Sequence, residues 1–351
     1  MTIRSTDDAV TCPAHSEQVW DAALIACDGH LLQSWRWGEF KARHGWEVRR
    51  VFVAGETPDT NAMAQVLIRK RGPLGLAYIP RGATFGSQGH KTAIELFDEV
   101  DRTCKRAGCI NVIVEPDRPL PYCGRFKEHG FVRGPEHVQP ARTVKVPLLD
   151  DEPLLAQMHQ KTRYSVRLAE RRGVEIRRVA PNDAAMNDFF SLLLETSGRN
   201  EFGIHDEAYY RDFMLTFGDH ALLAFAFVEG MPAAALIAAR FGDSAIYMYG
   251  ASSTTYRAHG AAFALQFNAM KWAREAGCST YDLWGIPLAD PESTQGNGDR
   301  VATTRGDDWR GLYKFKTGFG GNIVTYPPTL ERRYRPMLSF MARRFYAKRV
   351  G

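Results

Sequence analysis

The stretch EVDRTCKRAGCINVIVEPD (99–117) has a counterpart later in the chain, NAMKWAREAGCSTYDLWGIP (268–287). In both stretches a helix-like run with basic residues in its last turn reaches Ala-Gly-Cys and then enters a strand-like run, at an offset of 169 residues. This order predicts a helix, a glycine C-cap and a strand. The repeat therefore indicates two α/β domains of similar plan, built by duplication.

A second pair of stretches supports the duplication. AYIPRGATF (77–85) and YMYGASS (247–253) each predict a strand that leads into a Gly-Ala turn, and their offset is 168 residues. A chain of 351 residues is long enough for two domains that each bury a core. We expect an α/β protein with mixed α+β sheets.

The composition is that of an ordinary globular protein, with 44% hydrophobic and 24% charged residues. No apolar run is long enough to span a bilayer. The first thirty residues contain scattered acidic residues and do not resemble a signal peptide, so we expect a cytoplasmic protein.

The cysteines and histidines do not form metal-binding patterns. The ten histidines include no HExxH, and the six cysteines form no CxxC pair, so we expect reduced and mostly buried thiols. We expect neither a metal nor a cofactor. The cysteines are Cys12, Cys27, Cys104, Cys109, Cys123 and Cys278.

Two stretches concentrate the positive charge of a chain whose net charge is only +5. In 161–178, Arg163, Arg167 and Arg171 are four residues apart, which predicts a stripe of guanidinium groups on one helix face. The tail 331–350 predicts a basic amphipathic helix. Each stretch fits either a solvated helix face or contact with phosphates or an anionic membrane surface.

The residues after the second predicted strand fit a phosphate-binding pattern. Arg257-Ala258-His259-Gly260-Ala261-Ala262 precedes the helical FALQFNAMKWAREAG and matches R/Q-x-x-G-x-G/A, a motif of GCN5-type acyltransferases (GNAT). In that motif backbone N–H groups and the helix N-terminus bind a pyrophosphate. Arg257 and Gly260 are therefore candidate phosphate-binding residues, and a plain N-terminal turn is the alternative. The first half reads GSQGHKTAIELF here and lacks the pattern, so the second half is the predicted donor domain.

Near the C-terminus, GLYKFKTGFGG (311–321) alternates cations and aromatic rings before a glycine-rich turn. The alternation predicts a strand with Lys314 and Lys316 on one face and Tyr313 and Phe315 on the other. Such a strand could be an edge strand whose lysines prevent aggregation. It could equally hold a site where cations meet an anionic substrate or a developing oxyanion.

Along most of its length the chain resembles the Fem family (FemABX) of peptidyltransferases. The matching stretches occur in the family's order. They are HLLQSWRWGEFKARHGW (30–46), YIPRG (78–82), KTRYSVRLAERRGV (161–174), SGRNEFG (197–203), YMYGASS (247–253), YDLWGIP (281–287) and LYKFKTGFGG (312–321).

The resemblance implies tandem GNAT-like domains. The first would comprise 1–148, bind the precursor and be completed by the C-terminal segment 318–351. The second, 149–317, would bind aminoacyl-tRNA and carry the catalytic site. The chain has no heptad run for the helical arm of some members, so it resembles the compact, armless ones, some of which act on a soluble nucleotide-linked precursor.

The resemblance also implies substrate-binding residues. Lys41, after the QSxxW motif, would contact the diphosphate of the precursor, although a solvated helix lysine would look the same. Arg199, expected in a glycine-flanked turn, would reach the precursor's phosphates. Ser197 and Tyr249 would add hydrogen bonds, although Tyr249 also fits a buried strand aromatic.

The family's Phe-Lys pair falls on Phe315 and Lys316. The resemblance implies that Lys316 lies where the ester carbonyl of aminoacyl-tRNA meets the attacking amine, and that the terminal adenosine stacks on Phe315. Lys314 would meet a tRNA phosphate. We assign no general base, because Asp282 and His259 both have structural interpretations and the family implies substrate-assisted proton transfer.

The function implied is transfer of Gly, Ala or Ser from aminoacyl-tRNA to the side-chain amine of a peptidoglycan stem peptide, in UDP-MurNAc-pentapeptide or lipid II. We expect a monomer, with peripheral association at the inner membrane surface as one option, and a gating role for the loop 289–308. Three alternatives stay open: an acyl-CoA-dependent N-acyltransferase, a tRNA-dependent ligase acting on a peptide antibiotic or resistance substrate, and a non-catalytic RNA-binding protein.

Overall fold

The protein is described by a computed structural model that covers residues 16–89, 92–120, 130–200, 203–288 and 309–339. The chain divides into two compact units. Unit 1 comprises Met1–Gln139 and Tyr326–Gly351, and unit 2 comprises Pro140–Thr325.

These limits differ from the predicted boundaries at 148 and 317. The strand at Arg142–Pro147 and the strand at Asn322–Thr325 are hydrogen-bonded to each other, so both belong to the sheet of unit 2. The crossovers between the units therefore lie just outside this strand pair.

Unit 1 contains a mixed sheet with helices. Its elements are α1 (Glu17–Ala26), α2 (Trp35–Arg43), β1 (Glu47–Val53), β2 (Ala62–Arg71), β3 (Leu74–Pro80), β4 (Thr84–Phe85), α3 (Ala93–Arg106), β5 (Cys109–Glu115) and β6 (Phe131–Arg133), with a last strand at Leu330–Arg333. Within the described residues the sheet order is β1, β2, β3, β5, Leu330–Arg333 and β6, and β4 pairs with β2. β3 and β5 are parallel, and α3 connects them.

The C-terminal segment enters the sheet of unit 1 as a strand. Residues Leu330–Arg333 pair with both β5 and β6, so the predicted helix 331–350 is wrong at its start. Glu331 is fully buried and accepts a hydrogen bond of 2.8 Å from Asn111 of β5. The spacing of Met337, Met341 and Phe345 favoured a helix, and 340–351 lies outside the described residues.

The QSxxW motif has an architectural role in unit 1. The Gln33 side chain donates to the carbonyl oxygen of Pro80 at 2.7 Å and accepts from the backbone amide of Gln65 at 2.7 Å. It thereby joins the start of α2 to two strands of the sheet. The adjacent Ser34 caps α2, because its hydroxyl accepts from the amide of Trp37.

Unit 2 repeats the plan with additional helices. Its elements are β7 (Arg142–Pro147), α4 (Asp151–Ala156), α5 (Gln160–Arg171), β8 (Glu175–Arg178), α6 (Asp183–Asn200), α7 (Glu207–Phe217), β9 (Ala221–Val228), β10 (Met231–Phe241), β11 (Ser244–Ser252), α8 (Ala261–Glu275), β12 (Thr280–Ile286), α9 (Trp309–Thr317) and β13 (Asn322–Thr325), and the unit 1 strand Leu330–Arg333 is β14. Among the described residues the sheet order is β13, β7, β12, β11, β10, β9 and β8.

The predicted repeat of helix, glycine and strand is confirmed in both units. α3 ends just before Gly108 and α8 just before Gly277, and both glycines have a positive φ, of 74° and 87°. β5 and β12 follow them and pair in parallel with β3 and β11. The prediction of a mixed α/β fold is therefore correct.

Four cysteines are buried free thiols as predicted, namely Cys27, Cys104, Cys109 and Cys278. Cys12 and Cys123 lie outside the described residues. Within the described ranges no helix has both the length and the apolar character that a membrane span requires. The same residues contain no cluster of three or more His, Cys, Asp or Glu side chains suited to a metal ion.

Candidate active site

The two units differ at their central parallel strand pair. In unit 1, β3 and β5 stay paired to their last residues, Pro80 opposite Glu115. In unit 2 the pairing of β11 with β12 ends at Ile246 opposite Asp282, although both strands continue. The strands of unit 2 therefore diverge and leave a wedge at their carboxyl ends, where α/β folds usually bind ligands.

Both strands of the wedge contain a bulge. On β11, Met248 is an extra residue between Tyr247 and Tyr249. On β12, Leu283 and Trp284 together oppose one residue of β7, and Trp284 has a φ of 59°. This left-handed conformation costs a non-glycine residue about 1 kcal/mol. Bulges turn side chains and carbonyls in new directions and are frequent next to active sites.

Lys316 occupies the wedge. Its side chain is 6% exposed, its Nζ donates to the carbonyl oxygen of Gly285 at 2.8 Å, and it lies 5.5 Å from the centroid of the Tyr247 ring. Burial lowers the pKa of Lys316 to about 8, and the charge of Asp282 opposes that shift. The ammonium is thus protonated at neutral pH but weakly solvated.

The segment that carries Lys316 is a helix, α9, so the predicted strand is wrong. On a helix, residues two apart point in different directions, and Lys314 is accordingly exposed while Lys316 is buried. Tyr313 lies three residues before Lys316 on the same helix face and is buried with it. A pattern of four alternating residues therefore fits an i, i+3 helix face as well as a strand. Phe315 is half-buried and contacts Phe263, with ring centroids 4.9 Å apart.

The glycine turn after α9 fixes the end of this helix. Gly320 and Gly321 have φ values of 82° and 83°, and a Cβ at either would collide with backbone carbonyls of Gln157 or Lys145. The turn therefore packs backbone against backbone between α4 and β7. This contact holds the last turn of α9, and with it Lys316, in place.

Polar side chains hydrogen-bond around Tyr247, whose ring lies next to Lys316. Tyr281 donates to Oε1 of Gln266 at 3.0 Å, and Gln266 in turn hydrogen-bonds to Tyr247. Burial raises the pKa of Tyr247 to about 12, so its hydroxyl stays neutral. A Cβ at Gly250 would collide with the Tyr247 hydroxyl, which explains the glycine in YMYGASS.

The predicted phosphate loop packs against α5. Gly260 begins α8 with a φ of 74°, and a Cβ there would collide with the backbone carbonyl of Ser165. Arg172 at the end of α5 donates to the carbonyl of Ala258 at 2.5 Å. The glycine of the motif is therefore explained by helix packing. Arg257 lies in the short 3-10 turn before α8 and is exposed.

The three arginines of the predicted stripe on α5 make different contacts. Arg163 donates to the carbonyl of Ala156 at 3.1 Å, and so caps the C-terminal end of α4. Arg167 and Arg171 are exposed, and Arg171 lies 5.5 Å from the ring centroid of the exposed Tyr164. Two of the three arginines thus face solvent together with an aromatic ring.

The candidate substrate residues of unit 2 lie on α6 and β11. Ser197 is half-buried, and Arg199 lies in the last turn of α6 rather than in the expected turn. Tyr249 hydrogen-bonds to Tyr209, and burial raises the pKa of Tyr249 well above its usual value. His205, which the sequence did not single out, stacks on Tyr209 with centroids 3.7 Å apart.

Lys41, in unit 1, lies among aromatic rings. Its Nζ is 5.5 to 5.9 Å from the ring centroids of Trp37, Phe40 and Trp46. Burial and, to a smaller extent, the positive charge of Arg69 together lower the pKa of Lys41 to about 8. Arg69 lies 5.5 Å from the Trp46 ring, and no sequence pattern indicated this second cation.

Known structures resemble this fold. The crystal structure of FemX matches it with a TM-score of 0.80 at 20% identity, covering 93% of this chain and 98% of that one. The C-terminal domain of a putative lysylphosphatidylglycerol synthetase from Agrobacterium fabrum matches with a TM-score of 0.54 at 15% identity, over 91% of this chain and 94% of that one. The fold is accordingly that of FemX, and the two mixed α/β units that the sequence predicted are confirmed.

The sequence profile of the FemAB family matches residues 125–230 and 228–346, so the chain belongs to the FemAB family. A lipid II:glycine glycyltransferase of Staphylococcus haemolyticus is 24% identical and aligns over 84% of this chain and 85% of its own length. One of Staphylococcus saprophyticus is 26% identical, over 87% and 88%. The predicted family is thus confirmed.

Proposed function

We propose that this aminoacyltransferase of the FemAB family moves an amino acid from aminoacyl-tRNA to the side-chain amine of a peptidoglycan stem peptide and so builds the interpeptide bridge. Of Gly, Ala and Ser, glycine is favoured as the transferred amino acid, because relatives of this chain are named lipid II:glycine glycyltransferases. The same names favour lipid II over UDP-MurNAc-pentapeptide as the acceptor.

The observation that carries the proposal is the buried cation Lys316 in the wedge of unit 2. In the reaction the neutral amine attacks the ester carbonyl, and negative charge develops on the carbonyl oxygen. The Lys316 ammonium stabilises that oxygen, the ester C–O bond then breaks, and the departing ribose oxygen of the tRNA takes up the proton that the amine loses and becomes a hydroxyl. One preorganised donor contributes about 3 kcal/mol to such a step.

Binding of the acceptor is proposed for Lys41 in unit 1 and for Ser197, Arg199 and Tyr249 in unit 2. A desolvated ammonium such as Lys41 suits a diphosphate, because an anion restores the electrostatic stabilisation that burial removed. Tyr249 is proposed to orient the acceptor together with Tyr209, to which it is hydrogen-bonded.

Binding of the donor is proposed for four of the exposed cations of unit 2, namely Arg167, Arg171, Lys314 and Arg257. Arg163 and Gly260 would act indirectly, because they hold the contacts of α5 with α4 and α8. Phe315 would provide a ring for the terminal adenosine. Peripheral membrane association and a monomeric state are further predictions.

The acyl-CoA alternative is disfavoured by Gly260. Its backbone is packed so closely against the Ser165 carbonyl that helix packing explains the glycine without a bound pyrophosphate. A tRNA-dependent ligase with a peptide antibiotic as acceptor would use the same wedge, and only the choice of acceptor distinguishes it.

A transfer assay tests the proposal. Purified protein is mixed with radiolabelled glycyl-, alanyl- or seryl-tRNA and with lipid II or UDP-MurNAc-pentapeptide. Label is expected on lipid II, and Lys316→Ala should lower the rate about 10²- to 10³-fold. Lys271→Ala, which removes a lysine that is ion-paired to Asp151 at 2.7 Å, is the control. Failure of every donor with both acceptors would refute the peptidoglycan assignment.

A further inference from the structure

Asp282 is a buried carboxylate to which the proposed reaction assigns no role. It is 2% exposed and lies on β12 in the wedge. A charge so far from water is unfavourable unless other groups compensate for it. The residues around Asp282 therefore indicate what its charge does.

Hydrogen bonds from two neighbouring strand residues help to orient the carboxylate of Asp282. Its Oδ1 accepts from the hydroxyl of Thr143 on β7 and from the backbone amide of Trp284 at 2.7 Å. The second bond joins residues two apart within the β12 bulge. The bulge also presents the Gly285 carbonyl to Lys316, so one backbone feature orients both groups that act on the ammonium.

We infer that Asp282, held on the same β12 bulge that presents the Gly285 carbonyl to Lys316, is a positioning residue whose negative charge keeps the Lys316 ammonium protonated during transfer. This inference rests on the proposed function, since it concerns the state of the catalytic cation. Asp282 acts through Lys316 and takes no proton from the substrates.

The charge balance around Lys316 supports this assignment. Burial lowers the pKa of Lys316 to about 8, and Asp282 is the group whose charge raises it. Other titratable groups near Lys316 are Tyr247 on β11 and Tyr281 on β12, which are joined through Gln266 and stay neutral because burial raises the pKa of both, and Tyr313 and Lys314 on α9 itself. Lys314 is exposed and adds only positive charge. Without Asp282, no negative charge from these groups would oppose deprotonation of Lys316.

A direct titration tests the inference without any turnover. Full-length protein labelled with [¹³C]lysine is titrated by NMR, and the Lys316 signal is identified by its loss in Lys316→Met. In Asp282→Asn the midpoint of Lys316 should fall by about one pH unit or more. In Asp282→Glu, which keeps the charge, it should stay near the wild-type value. Asp282→Ser takes the place of the Asn variant if that variant does not fold.

Asp243→Asn is the matched control. Asp243 precedes β11 and accepts from the hydroxyl of Ser279 at 2.7 Å, at the opposite end of the strand pair from Gly285. Its removal should leave the Lys316 midpoint unchanged. An unchanged midpoint in Asp282→Asn would overturn the inference, as would an equal fall in both variants.

The pH dependence of transfer provides the second readout. In Asp282→Asn the alkaline limb of the rate profile should move to lower pH, and the ratio of the variant's rate to the wild-type rate should recover as the pH falls and Lys316 regains its proton. A loss of the same size at every pH would instead identify Asp282 as the base and overturn the positioning role. A shifted Lys316 midpoint without transfer to any acceptor would refute the proposed function, while the effect of the Asp282 charge on the pKa of Lys316 would stand.

Discussion

Lys316→Met separates the catalytic role of Lys316 from its effect on stability. Methionine has a similar volume but no charge. Burial lowers the pKa of Lys316 from its usual 10.5 to about 8, so keeping the ammonium charged in the folded state costs about 3 kcal/mol at pH 7. Loss of the hydrogen bond to Gly285 offsets about 2 kcal/mol of that cost. The variant should therefore be more stable than wild type at pH 7 by about 1 kcal/mol.

The sign of the pH dependence follows from the same shift. The pKa of Lys316 is lower in the folded chain than in the unfolded one, so the unfolded state binds more protons between pH 8 and 10.5. Wild-type stability therefore rises through this window, and the Lys316→Met variant lacks that rise. Wild type should gain about 2 kcal/mol between pH 7 and about pH 9.5, so the variant's advantage of about 1 kcal/mol should become a disadvantage of about 1 kcal/mol.

Urea unfolding of both proteins, followed by tryptophan fluorescence at the two pH values, measures this difference directly. All other titrating groups are shared, so the comparison isolates Lys316. A difference in stability that does not change with pH would show that Lys316 has an ordinary pKa. The argument from its burial would then fail.

Three further predictions concern other sites. Arg69→Gln should raise the pKa of Lys41 above about 8 and weaken binding of the diphosphate-containing acceptor. Arg71→Gln, at the exposed end of β2, should change neither quantity, and lysine NMR titration and equilibrium binding measure both. Gly321→Ala should destabilise the protein by more than about 2 kcal/mol in a thermal melt, because its φ is 83° and the added Cβ meets a backbone carbonyl. Gly198→Ala, which has open space within helix α6, should be neutral or slightly stabilising, and a similar loss in both glycine variants would contradict the packing argument. Saturating acetyl-CoA should leave the melting temperature unchanged, and a rise would favour the acyl-CoA alternative.

The repeat predicted more of the fold than any single motif did. Helix, glycine and strand at 99–117 and 268–287 were recognisable because glycine at a positive φ and a change of hydrophobic period are local properties of the chain. The divergence of β11 from β12 was not recognisable. It depends on where the strand pairing stops and on the bulge at Trp284, and both are set by tertiary contacts.

Errors in the sequence prediction have the same origin. Four alternating residues at 313–316 fit a strand or a helix equally well, and the buried positions of Tyr313 and Lys316 decide for the helix. The sequence pattern of 331–333 predicted a basic helix, yet these residues pair with β5 and β6, strands that lie about 200 residues earlier in the chain. Long-range pairing of this kind overrides local propensity.

The partners of the candidate residues could not be predicted either. Lys316 and Lys41 were proposed through the family resemblance, whereas Asp282 was set aside as structural. Its relation to Lys316 depends on a carboxylate and an ammonium that approach from different elements, β12 and α9. Arg69 escaped notice for the same reason, since it meets Lys41 only across the Trp46 ring.

The most direct test of the central claim is the single-turnover rate of transfer from glycyl-tRNA to lipid II, measured together with the affinity for the donor, in wild type and in Lys316→Met. We predict a rate that falls about 10²- to 10³-fold while donor affinity stays within a few-fold of wild type, because the cation stabilises charge that appears only in the transition state. A rate close to wild type, or a loss that lies entirely in donor affinity, would contradict the assignment of Lys316 as the group that stabilises the oxyanion.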